Sequence, residues 1–118
     1  MTNSITLYGI ANCDTVKKSR AWFEAQGKAY RFHDFKKEGV SPELLRQWLK
    51  QVDWPVLVNT RGTTWRQLSE AQKSAVKDAD SAMALMLAHS SVIKRPVVSQ
   101  GERLSVGFVP DQWQVKGQ

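Results

Sequence analysis

The chain of 118 residues carries 17 Lys and Arg against 11 Asp and Glu, a formal net charge of +6, with 42% hydrophobic and 24% charged residues. Those proportions fit one compact domain, residues 1–118, with its own core, and they exclude a disordered chain. Cys13 is the one cysteine, which excludes an intramolecular disulfide, a Cys-x-x-Cys pair and a multi-cysteine zinc site.

No run approaches the roughly 20 apolar residues of a membrane span. The opening Met1-Thr2-Asn3-Ser4 has neither the basic start nor the long apolar stretch of a secretion signal. A reduced, cytoplasmic protein with no membrane partner is expected. The basic balance suits anions. Its charges are spread evenly, with nine Lys and Arg in residues 1–50 and eight in the rest, so there is no basic arm and no nucleic-acid partner is expected.

Ile5 to Tyr8 is a short β-rich run ending at Gly9, and residues 10–14 read as a loop that delivers the cysteine to a helix. Val16, Arg20, Phe23 and their apolar neighbours give helical spacing from Asp14 or Thr15 to about Gln26, closed by Gly27. Tyr30 to Phe35 alternates aromatic and polar residues as a strand with one buried face does, so the first third predicts β-α-β. Ser41-Pro42-Glu43 is a strong helix start, followed by Leu44, Leu45, Trp48, Leu49 and Val52 and a stop near Asp53-Trp54-Pro55. Residues 59–63 form a turn carrying Arg61, and Thr64 to Gln67 matches a capping box for a helix reaching Leu68. Asp80 is the candidate cap of a nearly all-apolar, central helix that runs to His89. Pro96 to Ser99 and Arg103 to Val106 predict a hairpin through Gln100-Gly101-Glu102, with a short helix over Asp111 to Val115 after it.

A cysteine between a strand and the first turn of a helix lies where unpaired amides and the positive end of the helix dipole stabilise a thiolate. Lys17 and Lys18 would add positive potential and Asp14 would oppose it. On position alone Cys13 fits either a reactive thiolate or a buried, inert small residue, and both stay open. Arg95-Pro96 combines a basic residue with a proline at a strand start, where a cis bond is possible beside the Cys13 loop. Arg61 and Arg95 together would make a fork for an anionic group. His33 and His89 are isolated, fit structural roles and show no metal-site spacing, so no metal is expected. The five tryptophans, at Trp22, Trp48, Trp54, Trp65 and Trp113, fall mostly at helical apolar positions and read as core.

The segments Leu7-Tyr8-Gly9-Ile10-Ala11-Asn12-Cys13-Asp14-Thr15-Val16-Lys17-Lys18, Asn59-Thr60-Arg61-Gly62-Thr63-Thr64-Trp65 and Ile93-Lys94-Arg95-Pro96 together resemble the ArsC/Spx family and its YffB-like branch. The resemblance spans nearly the whole chain. It implies an α/β, thioredoxin-like fold with a mixed four-stranded sheet and a helical insertion over about residues 41–90. It also implies a nucleophile at Cys13, an arginine before a cis-proline at Arg95-Pro96, and a basic residue at Arg61, with Asn12, Thr15, Lys17, Lys18 and Pro96 in support. Arsenate reductases coupled to glutathione or glutaredoxin carry a histidine four residues before the cysteine, a serine three after it and a further arginine. The corresponding positions here are Gly9, Val16 and about Val106. The expectation is therefore a glutathione-dependent thiol reductase with no tightly bound cofactor, acting on a small anionic or disulfide substrate. With no second cysteine in the chain, glutathione or a glutaredoxin-like thiol donor must release any adduct. The alternative is a non-enzymatic, Spx-like regulator binding RNA polymerase, although the Cys-x-x-Cys switch common in Spx proteins is interrupted at Val16.

Overall fold

A computed structural model describes residues 4–114. The chain divides into two compact units, one built from residues 4–38 and 95–114, the other from residues 39–94.

The first unit opens with β1 (Ile5–Gly9), α1 (Asp14–Ala25), β2 (Arg31–Asp34) and α2 (Phe35–Glu38). Its second stretch supplies β3 (Val97–Gln100), β4 (Arg103–Val106) and α8 (Pro110–Trp113). The strands form one mixed sheet in the order β2-β1-β3-β4. β1 runs parallel to β2 through the α1 crossover and antiparallel to β3, with Tyr8 opposite Val97 and Ile5 opposite Gln100. That register sets the start of β3 at the end of the sheet where β1 runs into the Cys13 loop.

The core of this unit is the cluster Leu7, Val16, Phe23, Val98 and Trp113, each 0% exposed, with Ile5, Trp22, Phe32, Phe108 and Cys13 packed against it. Val16 and Phe23 come from the buried face of α1, and Leu7 and Val98 are register partners on adjacent strands. Trp113 anchors α8: its indole N–H donates to Ser105 Oγ at 2.8 Å, and Gln100 Nε2 donates to its carbonyl at 3.1 Å. Both polar side chains are buried, so these bonds satisfy groups that are costly to leave unpaired.

The second unit is helical: α3 (Pro42–Leu49), α4 (Trp54–Leu57), α5 (Thr63–Arg66), α6 (Glu70–Ala75) and α7 (Ala79–Ala88), then a 3-10 turn at Ser90–Val92. As its composition predicts, α7 is the central element, packed against α3, α4 and the 3-10 turn. Its Ala82, Leu85 and Met86 are buried. Ser41 caps α3 as expected, its Oγ accepting from the Leu44 amide at 3.1 Å.

Several boundaries differ from the sequence expectation for local reasons. β2 stops at Asp34 because that side chain accepts a hydrogen bond from the Lys36 amide at 2.9 Å and turns the chain into α2, an element without a hydrophobic period to announce it. α3 stops at Leu49, before Val52 and the expected Asp53-Trp54-Pro55 stop; Asp53 instead occupies the N-cap of α4, with Pro55 in its tolerant first turn. Thr64 lies inside α5, which is capped by Gly62 without a side-chain bond and ends before Leu68. The capping boxes are instead Ser69 with Gln72 on α6 and Asp78 with Ser81 on α7, where Asp80 is a first-turn acid rather than the cap. The hairpin turns at Gly101, whose φ of +60° suits the first central position of a type II′ turn. The final helix begins at Pro110, one residue earlier than expected, and Val115 lies outside the described residues.

Candidate active site

β1 ends at Gly9; Gly9 and the following Ile10 are buried, and the next residues, Ala11 and Asn12, are exposed. The Cys13 amide donates to the Ile10 carbonyl at 3.1 Å, closing the turn. The Cys13 carbonyl in turn accepts from the Lys17 amide at 2.9 Å, which starts α1. Cys13 is therefore the N-cap residue, with extended backbone at φ −83° and ψ 127°. The amides of Thr15 and Val16, at the second and third helical positions, are among those with no partner inside the helix.

Cys13 is half-buried, one side of its thiol resting against the core cluster. Burial is the strongest single influence on the thiol and acts to raise its pKa. It is outweighed by hydrogen bonding to the Val16 amide, by hydrogen bonding and charge from the Arg95 guanidinium, and by hydrogen bonding to the Thr15 amide, so the pKa falls below the ordinary thiol value. The sulfur makes no side-chain capping bond in the structure; the amides act by favouring the thiolate over the thiol.

Arg95 precedes a cis peptide bond to Pro96. The proline is buried and its carbonyl accepts from the Gly107 amide at 2.8 Å, while Arg95 is half-buried. The step sits at the start of β3, which is how a residue more than eighty positions along the chain comes to act on Cys13.

The first unit thus brings together Cys13, Thr15, Val16 and Arg95, with Pro96 the next residue after Arg95. Asn12 is exposed in the loop before the cysteine, and Lys17 is exposed on α1. Lys18, expected to tune the field around sulfur, holds its ammonium 4.4 Å from the centre of the Phe108 ring, a cation–π contact. Neither lysine nor Asp14 is among the groups that shift the thiol, so the cation acting there is Arg95. Arg61 belongs to the second unit, exposed, its amide donating to Asn59 Oδ1 at 3.1 Å. His33 stacks against Tyr8 with ring centroids 4.9 Å apart and lies 3.7 Å from Glu38, while His89 ends α7. No cluster of three or more His, Cys, Asp or Glu able to hold a metal occurs among the described residues.

Two participants escaped sequence reasoning. Val16 marks the place where a second thiol is missing, yet hydrogen bonding to its backbone amide is the largest single influence that lowers the thiol pKa. Gly9 reads as a strand end, and its closeness to Val16 appears only in the fold.

The profile of the ArsC family matches residues 8–115. The chain belongs to the ArsC family. Among solved structures of this family, a protein named YffB superposes with a TM-score of 0.88 at 48% identity, covering 93% of this chain and 96% of its own. An arsenate reductase (ArsC) related protein from Brucella melitensis superposes at 0.75 with 53% identity, covering 93% and 91% of the two chains. An uncharacterised protein of Haemophilus influenzae is 38% identical over 93% of this chain and 96% of its own. The chain is also similar to the global transcriptional regulator Spx of Bacillus subtilis, 24% identical over 92% of this chain and 82% of its own. The four-stranded mixed sheet with its helices is the thioredoxin-like fold of these ArsC-family proteins. None of the helices among the described residues is long and apolar enough to cross a membrane.

Proposed function

We propose that the protein is a glutathione-dependent thiol reductase in which Cys13 is the only nucleophile. The observation that supports this reading is the position of Cys13 at the open end of α1, with the Arg95 guanidinium among the groups that lower its thiol pKa. The Cys13 thiolate attacks the glutathione sulfur of a mixed disulfide: the Cys13–S bond forms as the substrate S–S bond breaks, and the departing thiolate takes a proton from water. A second glutathione thiolate then attacks the sulfur now bound to Cys13. It forms glutathione disulfide and returns Cys13 as thiolate, so in sum one external glutathione replaces the substrate's thiol in the disulfide and that thiol is released reduced. The second thiol comes from outside because the chain contains no other cysteine.

Cys13→Ser removes the nucleophile while keeping a side chain of similar size. The variant should fold normally and lose turnover in a glutathione-coupled assay of a small mixed disulfide; turnover equal to the parent's would end the proposal. Arg61 is proposed to bind an anionic group of substrate or glutathione. Arg61→Ala should then raise KM for glutathione several-fold and leave kcat nearly unchanged, and an unchanged KM would contradict that role. The similarity to Spx favours a second reading, a transcription-associated interaction protein. That reading expects RNA polymerase to be retained by the immobilised chain whether position 13 is Cys or Ser.

A further inference from the structure

Gly9 does not owe its identity to its own backbone, because it is not among the glycines with positive φ. What bars a side chain there is space: a Cβ on Gly9 would lie 2.6 Å from Val16 Cγ2 and 3.4 Å from Cγ1. Val16 has no room to give way. It is 0% exposed in the core cluster, and a β-branched side chain in a helix is held to essentially one χ1 rotamer. The valine side chain is therefore seated directly on the bare backbone at the end of β1, while its amide is one of those at the open end of α1.

We propose that Gly9 and Val16 form a positioning pair, in which the valine pressed against Gly9 fixes the first turn of α1 and so holds the Val16 and Thr15 amides in place at the helix start that Cys13 caps. Neither side chain touches substrate; the pair acts through the amides. The inference rests on the reading of Cys13 as nucleophile for its functional meaning, but its test reads the thiol directly.

The test is the rate of Cys13 alkylation by iodoacetamide against pH for the parent chain, Gly9→Ala, Val16→Ala, the double variant and Val98→Ala, with thermal unfolding of each. Val16→Ala keeps the amide and removes the wedge, and Gly9→Ala forces the wedge away. Each should move the alkylation midpoint up by about one pH unit, roughly a tenfold loss of thiolate at a pH below the midpoint. In the double variant the methyl introduced at position 9 occupies space vacated by the valine, and the midpoint should return toward the parent's, a coupling that independent sites would not show. Val98→Ala opens a cavity in the same core and should lower stability without moving the midpoint. Single variants with the parent's midpoint, a double variant showing no recovery, or an equal shift in Val98→Ala would each overturn the proposal. If Gly9→Ala does not fold, Val16→Ala against the double variant decides alone. If Cys13→Ser keeps full turnover while these midpoints still move, the nucleophile reading fails and the positioning pair stands.

Discussion

At the scale of single residues, the chemistry depends on which of two opposed influences on one thiol prevails. Burial against the core disfavours the thiolate, and two backbone amides with one guanidinium favour it more. Arg95→Gln removes the charge and leaves a weaker donor, so Cys13 should ionise at higher pH and alkylate several-fold more slowly at neutral pH; an unchanged pH profile would show that the amides suffice. The same shift couples to folding. A thiol that ionises more easily in the folded chain than in the unfolded one binds fewer protons when folded, so its contribution rises with pH. It is complete above the unfolded value of about 8.5 and lost as pH falls through the folded value. The stability of the parent relative to Cys13→Ser should therefore grow from neutral pH toward about 8.5, and a urea series across that range checks the sign. Arg95→Gln should flatten the rise.

At the scale of elements, helix starts carry much of the local order. Ser41 Oγ is the side-chain partner of the Leu44 amide on α3, whose Leu45 and Trp48 are buried. Ser41→Ala should lower stability by about 1 kcal/mol in urea unfolding with no change in thiol reactivity. Elements with strong local signals were legible from sequence. The run Ile5–Tyr8, the stripe closed by Gly27, the Ser41-Pro42-Glu43 start, the apolar α7 and the Gly101 hairpin all carry turn, cap or period chemistry that works without tertiary help. The short helices were not, because four-residue elements such as α2 and α5 contain barely one turn and no repeat of the hydrophobic period. Their bounds are set by particular contacts, such as Asp34 accepting from the Lys36 amide. The site was half legible for the same reason. A cysteine at a strand-to-helix junction can be read from its neighbours, whereas the seat of Val16 on Gly9 and the choice of Arg95 over Lys17 and Lys18 as the acting cation depend on how the strands pair.

At the scale of the whole molecule, the fold supplies one thiol, the means to ionise it, and no second thiol to finish a reaction. Under the proposed reductase reading each turnover would need a partner thiol, and the net charge of +6 would favour encounter with an anionic one such as glutathione. The most direct test of this account is the mass of the intact chain after brief exposure to glutathione disulfide at neutral pH, followed by reduced glutathione. The account predicts a single glutathionyl adduct on Cys13 that forms well below the ordinary thiol pKa and is fully removed by the added thiol. A chain left unmodified at neutral pH, reacting only once the pH exceeds that of an ordinary thiol, would contradict it.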